Sequence, residues 1–138
     1  MADIVVSGAG VAQTASTIIQ RGVAAEAIVA GAPIYIDATT SNNLRNCLGT
    51  SLAAAACVGI ALNSALGAGQ PVAYATGGLV TFSGTTLVVG NQYNVSVNSG
   101  KVAPVADTTV GVFATGLGIA PTATTLLLAI NPSGVAHA

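Results

Sequence analysis

The 138-residue chain predicts an all-β fold: a β-sandwich or barrel built from two tandem pseudo-repeated β-subdomains, with an extended N-terminal arm. Three observations lead there. The block Cys57-Val58-Gly59-Ile60-Ala61 returns as Gly116-Leu117-Gly118-Ile119-Ala120, a step of 118 − 59 = 59 residues. Gly31 in AIVAGAPIYID and Gly90 in TLVVGNQYNVS repeat that step, 90 − 31 = 59. Short β-prone runs follow one another with turn signals about every 8 to 12 residues, the pattern of an all-β sandwich or barrel. Helical periodicity is absent.

Residues 1–22 stand outside the duplication and form the expected arm. Ile4-Val5-Val6 and Thr17-Ile18-Ile19 are β-prone pieces separated by the flexible Ser7-Gly8-Ala9-Gly10. An extra edge strand of the same domain and an arm that reaches a partner by strand addition both fit this pattern. The first copy spans about residues 23–82 and the second about 83–131, followed by a loose tail over 132–138.

In the first copy, strands are expected over Ala24 to Val29, Pro33 to Asp37, Leu44 to Leu48, Ala55 to Leu62, Gln70 to Thr76 and Leu79 to Phe82. Pro33 stands at a strand start, where its missing N–H does little harm. Ser41-Asn42-Asn43 and Gly77-Gly78 read as turns. Leu52 to Ala56 has helical propensity through its alanines, but five residues are too few for a stable helix, so strand is expected. The second copy continues with Thr86 to Val89, Tyr93 to Val97, Lys101 to Val105, Val110 to Ala120 and Thr124 to Ile130. Setting Val72 on Leu127 makes its last loop four residues shorter, 59 − (127 − 72) = 4.

Composition limits what such a fold can do. Charged residues make up 5% of the chain, against about 25% in an average globular domain. Charge therefore cannot cover this surface, and a neutral apolar exterior protects poorly against association. A large part of it is expected to be buried against copies of itself or a larger partner. Arg21, Arg45 and Lys101 are too few and too scattered for the basic stripe that nucleic acid requires. The longest apolar run, Leu52 to Leu62, has 11 residues and contains Gly59, whereas a membrane-spanning helix needs about 20. The opening MADIVVSGAG lacks a basic n-region, which predicts synthesis in a cytoplasm without a cleaved secretory signal.

No catalytic constellation emerges. Nucleophilic catalysis needs a base within reach of a serine, threonine or cysteine, and the single histidine, His137, next to the last residue, reads as a tail side chain. Cys47 and Cys57 have no partners at metal-ligand spacing and read as small buried thiols, with a disulfide across the short loop as the alternative. A carboxylate pair would have to come from Asp3, Glu26, Asp37 and Asp107, of which Asp37 and Asp107 read as solvated strand ends. Gly8-Ala9-Gly10 and Gly116-Leu117-Gly118 both lack the third glycine of a dinucleotide loop, and Ser99-Gly100-Lys101 is a hairpin turn rather than a phosphate loop. No cofactor and no metal are expected.

The order of several small-residue motifs resembles the capsid decoration, or cement, proteins of tailed bacteriophages. They are the Ala30-Gly31 turn before an apolar strand, Val58-Gly59-Ile60-Ala61-Leu62-Asn63 followed by Ala68-Gly69-Gln70-Pro71, and Gly118-Ile119-Ala120 near the end. The resemblance runs from about Ala24 to Ala136. It implies a non-enzymatic virion protein, made in a bacterial host cytoplasm, that docks on the outside of an icosahedral shell between hexamers of the major capsid protein. It further implies a homo-oligomer, with a trimer favoured and a dimer possible, that grips the capsid through an N-terminal segment. The candidate capsid-contacting residues are then Asp3, Ile4, Val5 and Val6 together with Thr17, Ile18, Ile19 and Gln20. Alternatives are another virion part, such as a tail or spike component, and a small carbohydrate-binding β-module. The latter would need an aromatic platform, and Tyr35, Tyr74, Tyr93, Phe82 and Phe113 are scattered.

Overall fold

The computed structural model describes residues 3, 4, 10–82, 87–105 and 113–136. Ten strands carry these residues: β1 Val11–Gln13, β2 Ile18–Val23, β3 Pro33–Asp37, β4 Asn43–Asn46, β5 Gly59–Ala61, β6 Pro71–Phe82, β7 Gln92–Val95, β8 Val102–Pro104, β9 Phe113–Ile119 and β10 Thr125–Ala136. Among the described residues there is no α-helix, and the antiparallel sheet curls into a half-barrel, so the all-β expectation holds.

The duplication is visible in the strand order. Neighbours run β4-β3-β5-β6-β10-β9-β7-β8, which reads the same from both ends once β3, β4, β5 and β6 are matched to β7, β8, β9 and β10. Register repeats as well as order. Pro33 pairs with Ile60 and Ile34 with Gly59. Adding 59 to each gives the pairs Gln92 with Ile119 and Tyr93 with Gly118, both of which are formed. Three backbone bonds before β3 recur at the same step: Gly31 N–H to Ala61 O, Ala61 N–H to Ala32 O and Ala32 N–H to Val29 O become Gly90 to Ala120, Ala120 to Asn91 and Asn91 to Val88. Gly31 and Gly90 turn the chain with φ of 93° and 85°, a region costly to a side chain.

The conserved step is lost at the last strand of each half. Ile60 pairs with Ala75, whereas Ile119 pairs with Leu127. Ala75 therefore matches Leu127, an offset of 127 − 75 = 52, and the second hairpin is 59 − 52 = 7 residues shorter by register rather than four.

Several expected boundaries move. Ala24 to Val29 is not a strand; it makes two isolated bridges, Ala24 with Leu44 and Ile28 with Ala65, around a bend. Residues 52–55 form a turn, and the strand after them shrinks to Gly59–Ala61. Gly77-Gly78 is not a turn, since β6 continues through it for 12 residues and Gly78, at φ 81°, passes the strand from one part of the curled sheet to the other. The expected loose tail over 132–138 is not loose over residues 132–136, where β10 extends antiparallel to β9. His137, Asp107, Val5 and Val6 lie outside the described residues.

Two apolar clusters result. The larger lies inside the curl and joins both halves: Cys47, Cys57, Ile60 and Ala75 from the first, with Phe82, Tyr93, Val95, Val102, Leu117 and Leu126 beyond the β6 crossing. The smaller covers the other side of the first half, where Ile34, Leu44, Ala61, Val72 and Tyr74 meet Ala24, Ile28, Ala32 and Ala65. The first half is thus buried on both faces of its sheet.

Candidate interaction surfaces

The N-terminal candidates divide into two groups. Ile4 donates its N–H to Val102 O at 2.8 Å and packs its side chain against the larger core. The Asp3 carboxylate accepts hydrogen bonds from Ser96 Oγ and from Asn98 Nδ2, the latter at 2.7 Å. Residues 3 and 4 therefore lie along the outer edge of β8, fastened to their own domain. Ile18, Ile19 and Gln20 belong to β2, which pairs along β6 from Ile18 opposite Gly77 to Val23 opposite Pro71. Thr17 precedes it and hydrogen-bonds through its hydroxyl to Leu79 O. Of the two arrangements open to this segment, residues 11–23 adopt that of added strands in the domain's own sheet, with Val11 in the core. Ile18 is nevertheless 58% exposed, and Val23 is also exposed, so this strand offers apolar side chains to solvent.

A second surface was not foreseen from the sequence. Gln92, Asn94, Val105, Ala114, Gly116, Ile119, Ala129 and Asn131 line an open groove on the outer side of the second half. Gln92, Ile119 and Leu127 stand opposite one another across β7, β9 and β10, and Leu79 of β6 continues the row. Residues opposite one another in antiparallel strands share a face. None of these residues is charged. Gln92 Nε2 donates to Asn94 Oδ1 at 3.1 Å, so the polar end of the groove is organised within the chain.

Three of the few charges lock one another in place at the far end of the sheet. Arg45 Nε donates to Asp37 Oδ2 at 2.7 Å, and its Nη1 approaches Glu26 Oε1 at 3.4 Å. Thr39 donates to Asp37 Oδ1 through its hydroxyl and its N–H, at 2.7 and 2.9 Å. Those two bonds, followed by Arg45, hold the Asp37 carboxyl below its ordinary value, while Asp37 raises Arg45. Glu26 also accepts from Asn46 N–H at 2.9 Å, tying the segment after β2 to β4. The network organises a sheet edge and leaves no open acid–base pair.

Cys47 and Cys57 are buried free thiols. Burial pushes the Cys47 thiol far up, with a hydrogen bond to Cys57 adding to the shift. A thiol held protonated is neither nucleophile nor metal ligand. Among the described residues no group of three His, Cys, Asp or Glu could hold a metal ion, and no helix is long and apolar enough to cross a membrane. All five aromatic rings are buried or half-buried, so no exposed aromatic platform for a sugar is present.

No protein-family model matches the chain, and no curated protein matches it.

Proposed function

We propose that this chain is a structural virion protein that binds the outer surface of a tailed-phage capsid and stabilises it as a decoration protein. The observation that carries the reading is the character of the exterior. Eleven large apolar side chains are exposed among the described residues, in a chain with only seven charged ones, three of which are spent on the Glu26–Arg45–Asp37 network. So little charge and so many exposed apolar side chains leave this exterior poorly protected against association. The duplicated β-architecture and the family resemblance agree in supporting a non-enzymatic docking module whose partner is the major capsid protein.

The physical basis is area and avidity. Several subunits, each covering a modest apolar patch, hold together lattice elements that separate easily one at a time. The shell-facing element is the exposed side of β2, with Ile18 at its start. Removing residues 1–20, as the sequence alone invites, would also strip β1 and half of β2 from the sheet. The informative variant is Ile18→Lys, which leaves the backbone pairing intact. It is expected to lose binding to shells assembled from the major capsid protein of the same genome, while keeping the wild-type melting temperature. Undiminished shell binding by the folded variant would remove β2 from the interface. Imaging particles by cryo-EM separates attachment to capsid faces from attachment to the tail.

A further inference from the structure

Cys47 and Cys57 stand at the two ends of one loop, and β3 fixes where those ends lie. The loop leaves β4 on one side of β3 and returns to β5 on the other. Cys47 N–H donates to Pro33 O and Val58 N–H to the next carbonyl, Ile34 O, both at 2.8 Å. Both cysteine side chains enter the larger core, 0% and 4% exposed, and the Cys47 thiol lies within hydrogen-bonding reach of Cys57. A separation of 57 − 47 = 10 residues in sequence is thus brought back to neighbouring side chains.

The loop closed in this way also ties the two halves together. Gly49 N–H donates to Ser96 O at 2.8 Å, Gly100 N–H to Cys47 O at 2.9 Å and Phe113 N–H to Gly49 O at 2.8 Å. Thr115 Oγ1 donates to Ala55 O. Within the loop, Leu48 N–H donates to Ala54 O at 3.1 Å and Ala55 N–H to Ser51 O at 2.8 Å. A covalent bond across the neck would therefore fix the piece of the first half that the second half is bonded to.

We infer that Cys47 and Cys57 are a redox pair: a dithiol under a reducing thiol pool, and an intramolecular disulfide that staples this loop where a low-molecular-weight disulfide such as oxidised glutathione predominates. One cysteine thiolate attacks the oxidant and expels a glutathione thiolate, and the second cysteine thiolate attacks the mixed disulfide and expels the other. Two protein thiols are oxidised to one disulfide, one glutathione disulfide is reduced to two thiols, and the two protons pass to the released glutathione. Burial holds Cys47 protonated in the closed loop, so exchange takes place during folding or local opening. The folded chain then sets the equilibrium, because a fold that holds the two thiols together favours the disulfide by as much as the disulfide favours the fold. The inference does not depend on the capsid reading.

The test is the oxidation equilibrium of the full chain in mixtures of reduced and oxidised glutathione, reached both by refolding the reduced chain from urea and by long incubation of the native chain. The same mixtures in denaturing urea supply the reference, and masses of the intact chain and of its Cys47 and Cys57 peptides identify the products. The native chain is expected to favour the disulfide at least about tenfold over the denatured chain, losing two hydrogen atoms without gaining glutathione or a second chain. The oxidised protein is expected to melt at least about 5 °C above the reduced one. Melting of Cys57→Ser should not respond to the oxidant. A folded chain that keeps both thiols, or carries glutathione on them, in mixtures that oxidise the denatured chain overturns the inference, as do disulfides between chains. An oxidised form that melts below the reduced one also overturns it, since the bond would then distort the loop rather than staple it.

Discussion

Gly59 and Gly118 occupy the same place in the two halves and face the same obstacle. A Cβ on Gly59 would stand 2.6 Å from Ala75 O, and one on Gly118 would stand 2.0 Å from Leu127 O. Ala75 and Leu127 are themselves matched by strand register. The recurrence of Gly-Ile-Ala in the sequence therefore has a steric cause: at this point β5 and β9 run too close to the next strand's carbonyl for any side chain.

Alanine at either glycine should be costly, because backbone cannot move aside as a flexible side chain can. Gly59→Ala and Gly118→Ala are each expected to destabilise the chain by at least about 2 kcal/mol in urea denaturation. Gly67→Ala, where nothing lies within 4 Å, should stay within about 0.5 kcal/mol.

The matched pair Ile60 and Ile119 separates core from surface with identical side chains. Ile60→Ala should cost about 2–5 kcal/mol, the range for emptying a buried isoleucine site. Ile119→Ala, at a half-exposed site, should change the stability of the chain by less than about 0.5 kcal/mol. Equal losses at the two sites would contradict the burial difference.

Acid should act through Asp37. Its folded carboxyl titrates below its unfolded value, so the folded state binds fewer protons and the stabilisation is fully present above the ordinary carboxylate range. It is lost as pH falls through the depressed folded value. The stability gap between wild type and Asp37→Asn should therefore be widest near neutrality and close as pH drops below about 4. A gap that widens on acidification would reverse the sign of the linkage.

Thiol reagents report on the core. In the folded chain at neutral pH, neither buried cysteine should react with an aromatic disulfide reagent within the time that denatured chain reacts fully. Rapid labelling of native protein would show that the interior around Cys47 opens.

Much of the architecture was legible in the sequence because glycine leaves a mark wherever backbone needs room or a positive φ. The step of 59 located Gly31 with Gly90 and Gly59 with Gly118, and the backbone bonds repeat at that step. Composition gave no hint that Ala24 to Val29 would leave the ladder, since its apolar side chains serve a cluster beneath the sheet rather than a strand pattern. Gly77-Gly78 carries turn chemistry, yet pairing with β2 and β10 holds both residues in the β6 ladder. The β2 candidates were identifiable by β-propensity, but their pairing with β6 depends on a contact some 50 residues away in sequence, between Gln20 and Tyr74 (74 − 20 = 54). Ile119 was visible as part of the repeat, but its exposure was not. It sits in the same motif as Ile60, and only three-dimensional packing decides which of two identical motifs faces solvent.

The most direct test of the decoration role is co-sedimentation of the purified chain with capsids lacking it, at ionic strengths from roughly 0.05 to 0.5 M, a range over which screening shortens severalfold. The account predicts saturable binding that changes little across the series, because the docking strand β2 carries a single charge, Arg21, beside its exposed apolar side chains. Absence of binding at any salt concentration, or binding that collapses as salt rises, would contradict it.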